Sequence, residues 1–541
     1  MTATAVDAGD GLPLTVPSLL AERASRRRDH PWLICDDDVL SYGDADTRSA
    51  GLAEGLLAVG AGRGTRVGLL HPNGPEFVVG WLAAARIGAI TVPLSTLSTG
   101  AELRVLLRGA DVEVLLAATS FRGRSYVEAL VEAVPSLDLS TSPPLLDPAM
   151  PALRRVAFAG TGADVAAAWR REALVDAGST VDDEVLVAAG EAVNPADRLV
   201  IVHTSGSTGE PKGVVHQHGP LIRHLDDLNE LRRYDEDEVL FSNSPFFWIG
   251  GFAYSLLGTL LAGATLVCSN VTEPAAVLDL IEATRPTMVN GFAATVAHLA
   301  DDPTFAGRDL RSIRRGNLWP IMPAGARPAD PGLRHDLLGM TETGSVCLAS
   351  DDESDQPESR RGSFGRPVPG FESRIVDPDT GADCEVGRVG ELWLRSPFLM
   401  EGYYGLERHE TFTPEGWYRS GDLFHVDADG FHYFTGRRGD MIKTSGANVA
   451  PREVESAIAD LTGLTAHVVG VDDPERGEVV VAALRVQAGH DAPDLDELRT
   501  LLRARLSAYK VPRRFLVLAD DEVPVRSSGK LDAGALKAMF R

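Results

Sequence analysis

Cysteine and positive charge are both scarce in this chain, and each scarcity excludes a class of protein. Only four cysteines occur among 541 residues, and no two of them form a CxxC pair. Neither a disulfide framework nor a zinc site is therefore predicted, and the reducing cytoplasm is the expected location. Lysine and arginine total 52 against 77 acidic residues, which gives a net charge of -25. Such a surface repels nucleic acid and anionic lipid, so an anionic ligand would need locally placed cations.

Long hydrophobic runs are also rare. The segment 239–272 contains no charged residue, and its part 246–268 has the length of a bilayer-spanning helix. Pro245 and several glycines interrupt this segment, so it is predicted to form a loop, a buried helix and a strand instead of a membrane span. The N-terminus has acidic residues and no basic start before an apolar run, which is not typical of a secretory signal.

The chain is too long for one hydrophobic core, so more than one domain is expected. The segment 65–94 has the pattern of a strand, an amphipathic helix and a strand, and a similar alternation recurs at 275–300. These patterns predict an α/β fold for the N-terminal part, with helices covering sheets. Glycine turns and alternating apolar residues at 387–396 and 430–440 then predict a β-rich subdomain.

The last hundred residues have the pattern of a small α+β domain. The expected elements are a helix at 451–460, strands at 465–471 and 478–486, a helix at 494–506, a strand at 514–518 and a helix near 532–540. The sequence therefore predicts a large N-terminal domain at 1–436, built of α/β subdomains with a β-rich subdomain, and a small C-terminal α+β domain at 440–541.

The clearest local signal is HTSGSTGEPKG at 203–213, which directly follows the apolar run RLVIV. Glycines let backbone N–H groups turn toward an anion, hydroxyls add neutral donors, and a lysine supplies a full charge. The residues suited to hold phosphate are Thr204, Ser205, Gly206, Ser207, Thr208, Gly209 and Lys212. The spacing is not that of a Walker loop, and on its own the stretch could also be a flexible surface loop.

Four further stretches accompany this loop. They are GMTE at 339–342, WYRSGD at 417–422, GRRGDMIKTSGANVAPRE at 436–453 and PVRSSGKLD at 524–532. In this order and spacing, the five stretches resemble the phosphate loop, the YGMTE box, the ribose-binding stretch, the hinge region and the catalytic-lysine loop of the adenylate-forming superfamily. That superfamily contains acyl-CoA synthetases, firefly luciferases and nonribosomal adenylation domains. Residues 67–94 are similar to its N-terminal part.

The resemblance assigns a role to each matched residue. Glu342 would hold Mg²⁺ on the ATP phosphates and Thr341 would hydrogen-bond near the α-phosphate, beside Gly339 and Met340. Asp422 would accept from the ribose hydroxyls, with Arg437 bracing ribose and phosphate. Lys530 would be the catalytic lysine that reaches the α-phosphate and the attacking carboxylate. The small domain would be a mobile lid that turns at a hinge, 437–439, and Lys443 and Gly446 fall where the family turns this domain for the second half-reaction.

The chain departs from the family pattern at several positions. Leu338 replaces an aromatic residue, Trp248 a frequent histidine, His203 a tyrosine and Gly439 a frequent Asp or Lys, while the segment 316–338 looks short. The departure at Leu338 concerns stacking on adenine, and the departure at Trp248 concerns the space beside the reactive end of the acid. The candidate residues of the substrate pocket are Trp248, Gly251, Asn290, Gly316 and Leu338.

The resemblance implies that ATP activates a small carboxylic acid as its adenylate, and that coenzyme A then takes the acyl group. Two other activities on the same fold stay open, namely loading of a carrier protein and a diazotase-like adenylation of nitrite for condensation with an arylamine. A third alternative is an inactive nucleotide-binding partner protein, against which the retention of Lys530, Glu342 and Asp422 argues. No nucleic-acid partner is expected.

Overall fold

The structure is a computed structural model. It describes residues 11–160, 165–205, 211–438, 442–444, 447–449, 451–474, 476–486, 492–506, 510–526 and 530–540. Of the residues predicted from the sequence to form the site, Gly206, Ser207, Thr208, Gly209 and Gly446 lie outside the described residues.

The elements are numbered in chain order. The α-helices are α1 (Val16–Arg26), α2 (Tyr42–Ala58), α3 (Pro75–Arg86), α4 (Gly100–Gly109), α5 (Tyr126–Ala133), α6 (Arg171–Gly178), α7 (Asp183–Glu191), α8 (His218–Arg232), α9 (Gly258–Ala262), α10 (Pro274–Thr284), α11 (Ala297–Ala300), α12 (Arg408–Thr411), α13 (Pro451–Thr462), α14 (Leu495–Arg505) and α15 (Ala533–Met539). The strands are β1 (Pro31–Cys35), β2 (Asp38–Ser41), β3 (Arg66–Leu70), β4 (Ile90–Pro93), β5 (Val114–Ala118), β6 (Ser120–Phe121), β7 (Arg124–Ser125), β8 (Arg155–Ala159), β9 (Arg198–Ser205), β10 (Pro211–Gln217), β11 (Val239–Ser242), β12 (Thr265–Cys268), β13 (Met288–Asn290), β14 (Arg315–Gly316), β15 (Leu338–Gly339), β16 (Val346–Ala349), β17 (Arg366–Pro367), β18 (Glu372–Val376), β19 (Gly390–Arg395), β20 (Gly402–Tyr403), β21 (Tyr418–Val426), β22 (His432–Arg437), β23 (Ile442–Thr444), β24 (Ala447–Val449), β25 (Thr465–Asp473), β26 (Gly477–Val486) and β27 (Arg514–Ala519).

The first sheet has the order β20-β10-β9-β4-β3-β5-β8 among the described residues. Its β4, β3, β5 and β8 run parallel, and β9 continues the parallel part, whereas β10 pairs antiparallel with both β9 and β20. The predicted strand-helix-strand unit at 65–94 is confirmed as β3, α3 and β4. Pro75 fits the first turn of α3, where its missing N–H costs no hydrogen bond, and the helix is buried from Phe77 to Ala85.

The second sheet has the order β14-β13-β11-β12-β1-β2, and only its β1–β2 pair is antiparallel in the part that the structure describes. The charge-free segment 239–272 supplies β11, a loop, a buried π-helix at Gly250–Leu257, α9 and β12. The predicted loop, buried helix and strand are thus confirmed. Within the described part of the chain, no helix is both long and apolar enough to cross a membrane.

The chain divides into two compact units. The first comprises residues 1–361, 367–371 and 396–412, and the second comprises 362–366, 372–395 and 413–541. The predicted β-rich subdomain is confirmed as an antiparallel sheet of order β18-β19-β21-β22, which belongs to the second unit. The hinge at 437–439 and the domain boundary beside it stay predictions.

The C-terminal sheet explains why the end of the chain folds as predicted. Strand β26 lies between β25 and β27 and reads GEVVVAALRV, an almost continuous apolar run. Val480, Ala482 and Leu484 face one core with α13 and α14, while Val479, Val481 and Ala483 face a second core with α15. A strand that is buried on both faces needs apolar side chains at successive positions. Together with the α/β sheets, this α+β arrangement confirms the predicted fold class.

Candidate active site

The predicted phosphate loop connects two paired strands of the first sheet. Strand β9 ends with Thr204 and Ser205, and β10 begins with Pro211 and Lys212, which pair with Ser205 and Thr204 respectively. Strands β9 and β10 thus form an antiparallel hairpin, and Thr204 and Ser205 lie at the carboxyl end of β9, where ligands are commonly bound in α/β proteins. His203 lies at the base of this hairpin, and burial lowers its pKa to about 4, so it is neutral at pH 7.

The GMTE stretch forms a tight turn in the same unit. Gly339 ends β15, and a 3₁₀ turn at Thr341–Thr343 follows Met340. Gly344 closes the turn with a φ of 73°, and a Cβ there would lie 2.7 Å from Leu221 Cδ1, so glycine is required. Two outside contacts fix the turn: His216 Nε2 lies 2.7 Å from the Thr341 carbonyl oxygen, and the Met400 N–H donates to the Glu342 carbonyl at 2.9 Å.

A tyrosine that the sequence analysis does not single out joins the hairpin to the turn. The Tyr403 hydroxyl donates to Glu342 Oε1 at 2.8 Å. The Lys212 ammonium lies 4.9 Å from the centroid of the same ring, within the range of a cation–π contact. The ring thus lies between the cation of the phosphate loop and the carboxylate of the GMTE turn. Tyr403 belongs to EGYYG at 401–405, whose glycines and paired tyrosines are the only local signal of this strand.

The surroundings of Glu342 decide what kind of metal site it could form. Among the described residues, no group of three or more His, Cys, Asp or Glu side chains is placed to hold a metal ion. Glu342 is half-buried and its carboxylate accepts a hydrogen bond from Tyr403. Mg²⁺ in proteins is commonly held by one or two carboxylates together with substrate phosphates. The residues present therefore fit Mg²⁺ only when phosphate oxygens complete its coordination.

The two residues predicted to bind ribose form an ion pair in the second unit. Asp422 in β21 pairs with Arg437 in β22, and the Arg437 Nε donates to Asp422 Oδ1 at 2.6 Å. The Asp422 side chain is 7% exposed, whereas that of Arg437 is 57% exposed. Because an unpaired buried carboxylate is costly, Arg437 stabilises the ionised form of Asp422, which is the form that accepts hydrogen bonds from hydroxyl groups.

Lys530 lies in a turn near the end of the second unit. The Arg526 N–H donates to the Lys530 carbonyl at 2.8 Å, and the Asp532 N–H donates to the Pro524 carbonyl at 2.8 Å. These bonds hold Lys530 and Asp532 beside Arg526 and Pro524, and Lys530 is exposed. Lys443 lies in β23, where its backbone pairs with Asn448.

The candidate pocket residues belong to the first unit. Asn290 ends β13 and Gly316 ends the neighbouring β14, so both lie at the carboxyl edge of the second sheet. Trp248 follows β11 at the same edge and makes an edge-to-face contact with Phe292 at 5.4 Å between ring centroids. Gly251 is buried in the π-helix, and Leu338 is half-buried in β15, outside this sheet. The structure therefore brings three of the five candidates to one edge.

Comparison with known proteins identifies the class of enzyme. Residues 20–404 match the family model described as AMP-binding enzyme, and residues 453–530 match that of the AMP-binding enzyme C-terminal domain. The chain belongs to the family of AMP-binding enzymes. This finding confirms the resemblance to the adenylate-forming superfamily and the predicted class of AMP-forming ligases similar to acyl-CoA synthetases.

Relatives within the family are named for different acids. A feruloyl-CoA synthase from an Amycolatopsis species is 31% identical over 93% of this chain and 94% of the relative. A mitochondrial medium-chain acyl-CoA ligase from Mus musculus is 28% identical over 90% of this chain and 80% of the relative. A solved anthranilate CoA ligase in complex with anthranoyl-AMP superposes with a TM-score of 0.78 at 23% identity, covering 98% of each chain, which shows a shared fold.

Proposed function

We propose that this enzyme uses ATP to activate a carboxylic acid as its acyl adenylate and then transfers the acyl group to the thiol of coenzyme A. The observation that carries the proposal is the contact of Tyr403 with both Lys212 and Glu342. Lys212 and the Glu342 carboxylate thus lie on either side of one ring, and a cation for phosphate oxygens close to a carboxylate for Mg²⁺ suits a triphosphate. The family match and the relatives named as CoA ligases support the same activity.

In the first step, an oxygen of the acid attacks the α-phosphorus, and the bond from that phosphorus to pyrophosphate breaks. We assign to Lys212 the neutralisation of phosphate charge, and to Glu342 the binding of Mg²⁺ together with phosphate oxygens. Thr341 is assigned to the α-phosphate. Lys530 would offset the negative charge that accumulates as the carboxylate and the phosphate approach, a contribution that is largest in the transition state.

Asp422 is assigned to the ribose hydroxyls, and its pairing with Arg437 supports this role. The pair keeps an acceptor-only carboxylate ionised in a buried position, where a hydrogen bond to a charged group is strong. Arg437 keeps exposed donors that suit a ribose or phosphate oxygen.

In the second step, the sulfur of coenzyme A attacks the acyl carbon, AMP leaves, and the thiol proton passes to solvent. The proposal includes a mobile domain at 440–541 that turns at the hinge 437–439, with Lys443 and Gly446 serving the second step. The separate family match of residues 453–530 supports such a domain. A cytoplasmic location also belongs to the proposal, because the low number of cysteines and the lack of a CxxC pair suit a reducing compartment.

The test is to supply ATP, Mg²⁺ and a panel of acids and to measure AMP and pyrophosphate, with and without coenzyme A. The expected result is acid-dependent AMP formation and an acyl-CoA thioester detected by mass spectrometry. AMP formation that requires nitrite and an aminobenzoate, and occurs with no carboxylic acid, would replace this proposal by the diazotase-like activity. Acyl transfer to a carrier protein but not to coenzyme A would overturn the second step alone.

A further inference from the structure

Three neighbouring strands of the second sheet end in residues that are joined by hydrogen bonds between side chains and backbone groups. The sheet order is β14-β13-β11, and the residues just beyond these strands are Asn317, the pair Gly291–Phe292, and Asn243. The three strands run parallel, so these residues meet at one carboxyl edge. Ligands of α/β proteins bind outside this edge of a parallel sheet.

The asparagine side chains clamp the middle segment from both sides. The Phe292 N–H donates to Asn243 Oδ1 at 2.9 Å, and the Asn243 Nδ2 donates to the Phe292 carbonyl at 3.0 Å. On the other side, the Gly291 N–H donates to Asn317 Oδ1 at 2.9 Å and the Asn317 Nδ2 donates to the Gly291 carbonyl at 2.9 Å. Each amide thus uses both its acceptor and its donor on one residue's backbone, which fixes the position of Phe292.

Gly291 makes the clamp possible. Its φ is 145°, and a Cβ at this position would lie 1.8 Å from Asn243 Oδ1. Any other residue would displace the amide that holds Phe292. Glycine is therefore needed at position 291, directly before the aromatic residue that the clamp holds.

The fold itself does not bury the Phe292 ring. Phe292 is 47% exposed, although phenylalanine is usually buried. The Phe292 ring contacts the ring of Trp248, which is itself half-buried. Trp248 in turn packs against Phe247, with 5.3 Å between the ring centroids. A rigidly held, exposed ring beside a second aromatic residue is ready to gain stability when an apolar ligand covers it.

We propose that Phe292 and Trp248 form an aromatic wall that binds the planar ring of an aryl carboxylic acid, with Asn243 as the residue that positions Phe292. The inference rests on the proposed function and specifies the class of carboxylic acid that the enzyme activates. The asparagine amides next to the wall are already engaged with backbone groups, so the wall presents ring surface to the ligand. Two rings at an edge-to-face angle of 72° offer a third ring both a face and an edge, whereas a flexible alkyl chain gains no such directional contact.

The test compares benzoate, 3-hydroxybenzoate and cinnamate with hexanoate and octanoate at equal concentrations, scored by AMP formation. The variant Phe292→Leu keeps apolar volume but removes the ring. Its matched control is Val39→Ala, a change at a 57% exposed apolar residue in β2, the opposite edge strand of the same sheet. Asn243→Ala keeps the ring but removes the side of the clamp that binds the Phe292 backbone, and melting temperature reports whether each variant folds.

The wild-type enzyme is expected to prefer the aryl acids, and Phe292→Leu should lower the aryl-to-alkyl ratio of kcat/KM by about 3- to 10-fold, the size of one aromatic pair contact. Asn243→Ala should raise KM for aryl acids and leave KM for ATP unchanged. Val39→Ala should change neither the aryl-to-alkyl ratio nor these KM values. A ratio that Phe292→Leu leaves unchanged overturns the inference, and so does activity on alkyl acids alone, which would leave the proposed function standing. Absence of AMP with every acid would instead overturn the proposed function and this inference with it.

Discussion

The change Tyr403→Phe removes one hydroxyl group from the proposed ATP site and nothing else. In the wild-type structure this hydroxyl donates to Glu342 Oε1 at 2.8 Å, while the ring lies beside the Lys212 ammonium. Phenylalanine keeps the ring contact with Lys212. The variant therefore tests the hydroxyl group that donates to the carboxylate assigned to Mg²⁺.

The expected magnitude follows from the burial of the pair. A hydrogen bond to a charged group contributes about 1.5–3 kcal/mol when it is well shielded. Tyr403 and Glu342 are both half-buried, so we expect the lower end of this range. A loss of about 1.4 kcal/mol corresponds to a tenfold fall in kcat/KM for ATP. Because the carboxylate would hold Mg²⁺ less well, the concentration of Mg²⁺ at half-maximal rate should rise as well.

The chain offers a matched control at the next position. The Tyr404 hydroxyl also donates to a carboxylate, Asp111 Oδ2 at 3.0 Å. Tyr404→Phe should therefore leave kcat/KM for ATP and the Mg²⁺ dependence unchanged. Rates of pyrophosphate release measured over a Mg²⁺ titration give both quantities, and a double-mutant cycle with Glu342→Gln measures the coupling. Equal effects of the two tyrosine variants, or additive effects in the cycle, would refute the assigned role of Tyr403.

Three further predictions concern other parts of the chain. Lys530→Ala should abolish adenylate formation and leave ATP affinity nearly unchanged, since its charge acts mainly in the transition state; near wild-type pyrophosphate release would rule this out. Asp422→Ala should weaken ATP binding by about 1.5–3 kcal/mol, and calorimetry showing unchanged affinity would contradict the ribose assignment. Burial lowers the pKa of His224 from its ordinary 6.5 to about 3. Between these pH values the unfolded chain binds a proton that the folded chain does not, so the free energy of unfolding falls as pH falls from 6.5 toward 3. His224→Phe should reduce this fall by up to about 1.4 kcal/mol per pH unit, and a melting-temperature profile as steep as that of the wild type would refute it.

The sequence predicts the C-terminal domain well because its elements are defined by local patterns. Strand β26 is marked by an apolar run, and α14 follows Asp494, whose side chain accepts from the backbone N–H groups of Asp496 and Glu497. The short strands β23 and β24 are not predicted. Three residues are too few to show an alternating pattern, and these strands form only because neighbouring chain segments pair with them.

Contacts between distant segments could not be predicted from the sequence. Cys35 and Cys268 are far apart in the chain, yet they are register partners on β1 and β12, where both remain free thiols. Tyr403 reaches Glu342 in the same way, through pairing of β20 with β10. The motifs predicted which residues belong to a site, but strand register decides which side chains meet there.

Strand β10 sets the spacing of the proposed ATP site by residue count. Successive side chains of a strand point to opposite faces, so Lys212, Val214 and His216 share one face, and Tyr403 joins it because it is the register partner of Val214. Lys212 and His216, the two polar residues of this row, lie about 13 Å apart at the usual rise per residue of a strand. A substitution at Val214 would leave this spacing intact. Insertion of one residue between Lys212 and His216 would turn the lysine to the opposite face, and no side-chain change elsewhere could restore its contact with Tyr403.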